Sequence, residues 1–331
     1  MKKLLAGTLS IVLCLSLCAC SPSPTAVVVG GRSVDASGLA FYIHYNLLNL
    51  SSQYGYASDT LYDDEMTERV KNDALDQAVT AQIVRIQCAE RGISLSDEQR
   101  DELKEDKKAF TESLGGKYAY LEFLRESAMT DRSYDAFQED ALYYDLLYDD
   151  VCLEATEYYT DENLRQFFSE NYITVKYIRL GTIDEEGNPL SELDSAGKLT
   201  QANAVLEQAT QEGADFDALI AQYNDDPIME NHPDGLVVGI AEAEGSAYLE
   251  PAFSLAEGEI GGVYTASDGY YIVKRTAVSA SYFEENQANI LQSAIDWYFT
   301  QSLNQWKEDA QVTTTAVYKK INLENYMDYI K

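Results

Sequence analysis

Chemistry that depends on imidazole has little to draw on here, because the 331 residues include only two histidines, His44 and His232. His44 falls in a tyrosine-rich helical stretch and His232 in a loop, so neither a histidine metal centre nor a Ser-His-Asp triad is expected. Oxygen ligands are plentiful but poorly arranged. Asp63-Asp64-Glu65 and Asp225-Asp226 lack the graded spacing of a calcium loop, and a solvated acidic cluster is the stronger reading of both. Gly258-x-x-Gly261-Gly262 does not have the strand-to-helix setting in which glycines cradle a phosphate. No cofactor and no metal are therefore expected. The charge balance narrows the field further, with 24 Lys+Arg against 56 Asp+Glu for a net charge of −32. Such a chain cannot neutralise a row of phosphates, which excludes nucleic acid as a partner and argues against a peripheral grip on anionic lipid. A repelling, solvated surface is the favoured reading of that charge; a field that attracts basic unfolded chains is the other.

The five cysteines include one with a specific chemical reading. Met1-Lys2-Lys3 is positive, Leu4 to Leu17 is apolar, and Leu17-Cys18-Ala19-Cys20 follows, the order of a secretory signal too short to span a membrane. Leu17-Cys18-Ala19-Cys20 resembles the bacterial lipobox, whose final cysteine receives diacylglycerol. Residues 1–20 are thus read as a lipoprotein signal peptide, cut before Cys20, which stays on the mature chain as its lipidated first residue, and residues 21–26 as a linker. Cys88 and Cys152 would then be the folded part's only thiols, and two separately buried thiols are expected.

Elements that could position a site are legible along the rest of the chain. Val27-Val28-Val29 and Ser33-Val34 flank Gly30-Gly31 and read as a hairpin, and Asp35 can cap the helix that follows. Leu75, Val79, Ile83 and Ile86 recur at helical steps up to Gly92, and Ser96 to Gln99 forms a capping box. Gly115-Gly116 breaks the chain, Ser133 is expected to open a long helix, and Thr160 to cap another. Tyr144 and Tyr148 are expected in the core, while Tyr42, Tyr45, Tyr118 and Tyr120 could line either a core or a cradle. Beyond Arg275, Phe283 to Trp306 keeps an apolar helical stripe. Between these helical parts, Val175 to Leu180 alternates as a strand. Asp184 to Leu199 reads as an exposed loop, two helices are separated by Gly213, and Val263 to Val273 reads as a hairpin turned at Ser267-Asp268-Gly269.

The order Ala214-Asp215-Phe216-Asp217-Ala218-Leu219, Asp234-Gly235-Leu236, Pro251-Ala252-Phe253-Ser254-Leu255 and Gly269-Tyr270-Tyr271-Ile272 resembles parvulin, the small peptidyl-prolyl isomerase domain. The helical parts around it resemble the chaperone half of PrsA- and SurA-type foldases. The resemblance implies an α+β fold, with a helical chaperone domain (27–170 and 277–331) interrupted by a parvulin-like domain (171–276). It implies unfolded or newly secreted polypeptides as partners, an extracytoplasmic place at the cell membrane through the Cys20 anchor, and helical domains of a kind that can pair as a homodimer. It implies Tyr248 and Phe253 as the aromatic floor of a proline slot and Asp226 as the polar residue facing the substrate carbonyl. Tyr177 and Tyr271 stand where the family carries histidines, and Glu244 or a neighbour where it carries methionine. The glycine-glycine-aspartate-leucine-glycine turn survives only as Asp234-Gly235-Leu236 with Gly239 beyond. Two consequences stay open: a stacked Tyr177–Tyr271 platform that still isomerises proline, or a degenerate slot that only holds extended peptide.

Overall fold

The computed structural model describes residues 23–54, 64–184, 186–279 and 281–330. The signal segment, Cys20 and Asp63 lie outside the described residues. Contacts group the chain into two units, one running to Asp149 and resuming at Ser302, the other Asp150–Gln301.

The first unit opens with β1 (Thr25–Val29) and β2 (Arg32–Asp35), an antiparallel hairpin. Its turn residues Gly30 and Gly31 have φ of 53° and 83°, the left-handed values that a tight hairpin turn requires. Helix α1 (Ala36–Tyr54) starts on Asp35, whose Oδ1 accepts from the Gly38 amide at 2.9 Å and the Ser37 hydroxyl at 2.8 Å. Helix α2 (Asp64–Arg91) stops at Gly92, and α3 (Asp97–Ser113) carries the expected capping box of Ser96 and Gln99. Then come α4 (Lys117–Glu126) and α5 (Asp131–Tyr158). Helix α5 begins two residues before the expected Ser133, because Thr130 is the cap. The Ser133 amide donates to Thr130 Oγ1 at 3.0 Å and the Thr130 amide to Ser133 Oγ at 2.8 Å, a reciprocal box.

The second unit holds the end of α5, α6 (Asp161–Asn171) and β3 (Tyr172–Gly181). Next are α7 (Glu192–Ala209), α8 (Phe216–Tyr223) and α9 (Ile228–Asn231). Strand β4 (Leu236–Gly239) and α10 (Ile240–Ala243) lead to β5 (Ile260–Ala266), β6 (Gly269–Thr276) and α11 (Tyr282–Asp309). The tail of α11 belongs to the first unit, with β7 (Val312–Thr314) and α12 (Ala316–Lys320). Strand β7 pairs antiparallel with β1, which completes a three-stranded sheet ordered β2-β1-β7. The core of this unit gathers Val27, Leu39, Ile43, Val70 and Ile321, with Leu303 and Trp306 packed on it. The fold is α+β, helical with small antiparallel sheets. The contact division falls near 150 and 301, and on its inner side Leu164 and Phe167 of α6 share a core with Tyr172, Phe283, Ile290 and Ala294.

The second sheet is antiparallel and ordered β4-β3-β6-β5. Strand β3 is buried on both faces instead of alternating. Ile178 and Leu180 face Ala202, Val205 and Phe216, while Val175 and Tyr177 lie among Met229, Val238 and Ala252 on the other side. Two elements depart from the sequence reading. Part of the expected loop is helix α7, whose cap Ser191 accepts from the Asp194 amide and whose Ala202, Val205 and Ala209 form its inward face. Strand β4 lies where the sequence marks only a turn, since four residues leave too short a pattern to mark a strand. It is entered through Gly235, which has φ 98°; a Cβ there would lie 2.6 Å from Thr174 Cγ2 and 3.0 Å from the Val175 carbonyl. Gly235→Ala is expected to cost about 2 kcal/mol in urea unfolding, since strain and overlap act together; unchanged stability would contradict the tight β3–β4 approach.

Several tyrosines sort differently from expectation. Tyr144 is 41 % exposed, and Leu147 and Val151 take the inward positions of α5. Tyr148 is half-buried. Tyr118 is 91 % exposed whereas Tyr120 is in a core with Leu124, Met129 and Tyr134. Cys88 is buried with its thiol toward the Tyr143 carbonyl, Cys152 is half-buried, and no disulfide joins them. Among the described residues no helix is long and apolar enough to cross a membrane.

Candidate functional site

Strand periodicity places Tyr177 of β3 and Tyr271 of β6 on one face of the second sheet, in the cluster that also contains Met229, Tyr248 and Phe253. Phe253 comes from a 3-10 turn, Pro251–Ser254, started by its proline, and Tyr248 from the loop just before it. Asp226 follows α8, in a loop held by Asn224. The Asn224 Oδ1 accepts from the Arg179 amide at 2.8 Å, and its Nδ2 donates to the Asp226 carbonyl at 2.6 Å. All five residues expected at the slot are therefore brought together.

Their geometry differs from a platform of two stacked rings. Tyr177 and Tyr271 are tilted by 56° with centroids 5.6 Å apart, and they bond to different carboxylates. The Tyr177 hydroxyl donates to Asp226 Oδ2 at 2.8 Å, and the Tyr271 hydroxyl to Asp268 Oδ2 at 2.9 Å. The stacked partner of Tyr271 is Tyr248, at 3.8 Å and 7°, while Tyr177 meets Tyr248 edge-on at 5.5 Å. Aromatic pairs of both kinds are favourable, so the three rings brace one another. Tyr177 and Tyr271 are buried, and Tyr248 and Phe253 are half-buried, as a wall reachable from solvent should be.

Asp226 is 8 % exposed, and its second oxygen accepts from the Ile228 amide at 2.9 Å. The acidic pair thus splits instead of forming a solvated cluster. Asp225 points the other way, with Oδ2 accepting from the Gly181 amide and ion-paired to Lys198 at 2.7 Å. Among the described residues no group of three or more His, Cys, Asp or Glu could hold a metal ion. His232 is exposed, and His44 Nδ1 lies 2.8 Å from the Tyr326 hydroxyl, in the first unit.

The phenols are held neutral. Burial pushes the Tyr177 hydroxyl well above its ordinary pKa, and the Asp226 carboxylate adds to this. Burial and Asp268 do the same to Tyr271, and burial and the Asp226 charge raise Tyr248. A phenolate base is excluded at neutral pH. What the arrangement offers is an apolar aromatic wall beside fixed hydrogen-bond donors and acceptors, which suits binding and twisting of an amide rather than proton transfer.

Two members of the site were not foreseen. Arg179 lies opposite Tyr271 in the β3–β6 register, and its Nη1 donates to Asp268 Oδ2 at 2.9 Å, so Asp268 is gripped by arginine and tyrosine together. Arg179 is two residues from Tyr177 and hence on its face, which was the available signal; Asp268 read only as a turn residue. Glu244 is exposed, and the methionine in the cluster is Met229.

A helical unit with a small sheet and a second, four-stranded antiparallel unit with an aromatic site define the architecture. No family model matches the sequence, and no curated protein matches it. Among solved structures the chain is similar to foldase protein PrsA from Streptococcus pneumoniae. Identity is 22 %, covering 80 % of this chain and 94 % of that one, at a TM-score of 0.31. It is similar to the peptidylprolyl isomerase PrsA of Bacillus anthracis at 14 % identity, covering 72 % and 97 % with TM-score 0.36. It is similar, too, to a SurA-like chaperone from Campylobacter jejuni at 10 % identity, covering 88 % and 99 % with TM-score 0.30. With TM-scores below 0.5, these likenesses carry no weight for the site, which rests on the chain's own residues.

Proposed function

We propose that this protein is a foldase for secreted polypeptides, tethered through Cys20 at the extracytoplasmic face of a membrane, whose second unit isomerises Xaa-Pro bonds without cofactor or covalent intermediate. The observation that carries the reading is the Tyr177–Asp226 hydrogen bond inside the wall of Tyr248, Tyr271 and Phe253. Rotation about the bond is opposed by amide resonance, a barrier of roughly 18–20 kcal/mol. It needs no proton transfer. A slot that strips water from the proline ring and fixed dipoles that hold the carbonyl as it leaves the amide plane are enough to lower it.

A protease-coupled assay on a short Xaa-Pro peptide tests this reading. Tyr248→Ala removes the ring stacked on Tyr271 and is expected to lower kcat/KM about tenfold or more. A wild-type rate equal to the uncatalysed one would overturn catalysis. A second reading, a slot that only holds extended peptide, is favoured by one specific feature: both Asp226 oxygens already have donors, from Tyr177 and Ile228. Under that reading peptide binds to the wild type, Tyr248→Ala weakens it, and isomerisation is never accelerated.

A further inference from the structure

The first unit carries a cleft that the aromatic site does not use. A hollow of about 490 Å³ lies between the start of α5 and the residues of β2, α1 and α2 that face it. A second, of about 270 Å³, lies further along α5 against α1 and α2. Tyr42, Ala81, Phe137 and Asp140 line both, so the two hollows form one cleft with Asp140 at the junction. Its wall includes large apolar side chains in contact with solvent, Phe137 at 40 % and Tyr144 at 41 % exposed, and the smaller hollow is also lined by Ala81 and the buried Val84. Phe41 supports Phe137 edge-on at 5.1 Å. The larger hollow is also lined by Ser33, Ser37, Thr130 and Ser133, of which Ser37 is bonded to Asp35 and Thr130 and Ser133 to each other.

We propose that this cleft binds an extended stretch of unfolded polypeptide in which an aromatic or large aliphatic residue neighbours an arginine or lysine. The proposal rests on the foldase reading for the nature of the partner and goes beyond it in naming a second site and its preference. Charge complementarity selects the occupant. The larger hollow is lined by three carboxylates, Asp35, Asp131 and Asp140, against one cation, Arg132. Asp35 is fixed by capping α1, and Asp131 is paired with Lys107 at 2.7 Å. Asp140 accepts from Arg85 Nε on Oδ1, at 2.5 Å, and Arg85 is shared with Glu139 at 3.1 Å, so one guanidinium faces two carboxylates. Arg32, whose charge also acts on Asp140, is held by Gln82 at 3.2 Å. An incoming guanidinium or ammonium reaches Asp140 where Tyr42 and Phe137 line both hollows with it, so that cation–π attraction adds to the ion pair. The neighbouring apolar side chain enters the smaller hollow.

Fluorescence anisotropy with a labelled Gly-Ser peptide carrying two Phe-Arg pairs tests this, alongside the same peptide with Phe-Glu or Phe-Gln pairs. Phe-Arg is expected to bind about fivefold tighter than Phe-Gln, and Phe-Glu weakest, with the preference shrinking at high salt. Asp140→Asn should abolish the Arg-over-Gln preference while the circular dichroism stays native. Because Arg85 loses a partner in that variant, Ala141→Trp provides a second route, filling the smaller hollow from an exposed helical position and weakening every peptide about tenfold. Equal binding of the three peptides, a preference surviving Asp140→Asn, or binding indifferent to Ala141→Trp would each overturn the inference. The prolyl-isomerisation assay separates the two readings, since an inactive wild type there counts against catalysis in the second unit and leaves the peptide preference standing.

Discussion

Replacing Asp226 with alanine is expected to return prolyl isomerisation to the uncatalysed rate and to lower the stability of the second unit by about 2–3 kcal/mol. The energetic part follows from two donors. The Tyr177 hydroxyl and the Ile228 amide both give their hydrogen bond to this carboxylate, at 2.8 and 2.9 Å. Tyr177 is only 1 % exposed, so its hydroxyl cannot turn to water when the acceptor goes. A buried donor left unmet costs roughly 1–3 kcal/mol, more than the bond itself contributes. Asp226→Asn should fall between, because its single oxygen can serve one donor while its amide faces the other. Tyr177→Phe keeps the ring against Tyr248 and removes only the hydroxyl. The cycle built from Tyr177→Phe and Asp226→Ala is therefore expected to show a coupling of about 1 kcal/mol or more. Urea unfolding gives the stabilities and the protease-coupled assay the rates. An Asp226→Ala protein that is folded and fully active would remove the carboxylate from the mechanism and leave the aromatic wall as the working part.

The reach of the sequence can be judged at this same cluster. Tyr177, Tyr248, Phe253, Asp226 and Tyr271 were legible because a linear order of short motifs carries over through resemblance, and the structure brings all five together. Their pairing was not legible. Which ring stacks on Tyr271 depends on the β3–β6 register and on where the loop before Pro251 returns, and neither leaves a mark in local pattern. Arg179 could have been found by counting two residues from Tyr177. Asp268 could not, since turn aspartates are common and its bond to Arg179 depends on a strand far away in sequence. The helical parts were legible to within a few residues wherever a cap is made by adjacent side chains, as at Ser96 and Thr160. The start of α5 was off by two residues, where Thr130 and Ser133 share the cap, and the reading failed where turn-forming residues hid a helix, as at Glu192 to Leu199. Tyr144 shows the remaining limit: helical spacing identifies a face, but what covers that face is decided by tertiary packing.

The second large effect is expected on the alkaline side. Tyrosine ordinarily loses its proton near pH 10, and in this fold several are prevented from doing so. Burial, assisted by Asp140, pushes Tyr42 up to about 12, and burial together with Tyr158 and Tyr298 pushes Tyr159 up to about 12. Tyr120, Tyr177 and Tyr271 are raised further, each by burial first and then by a hydrogen-bonded carboxylate, Asp131, Asp226 and Asp268 respectively. In each case the folded state holds a proton that the unfolded state releases at lower pH. The stabilisation is therefore fully present below pH 10 and is lost as pH rises toward and past the folded values. For Tyr42 the loss runs from pH 10 to about 12 and is on the order of 2 kcal/mol. Such residues occur in both units, Tyr42 and Tyr120 in the first and Tyr159, Tyr177 and Tyr271 in the second. Few domains have more than 5–15 kcal/mol to lose, so both units are expected to unfold cooperatively between pH 10 and 12. Tyrosinate absorbance from these buried rings should rise together with the collapse of the far-ultraviolet dichroism. Tyr177→Phe removes one of the held protons and should move the transition to higher pH relative to its own neutral-pH stability, which distinguishes this ionisation from general charge repulsion at a net charge of −32. A single absorbance step near pH 10 with the dichroism unchanged would mean that these hydroxyls are reached by solvent and that the aromatic wall is looser than its hydrogen bonds imply.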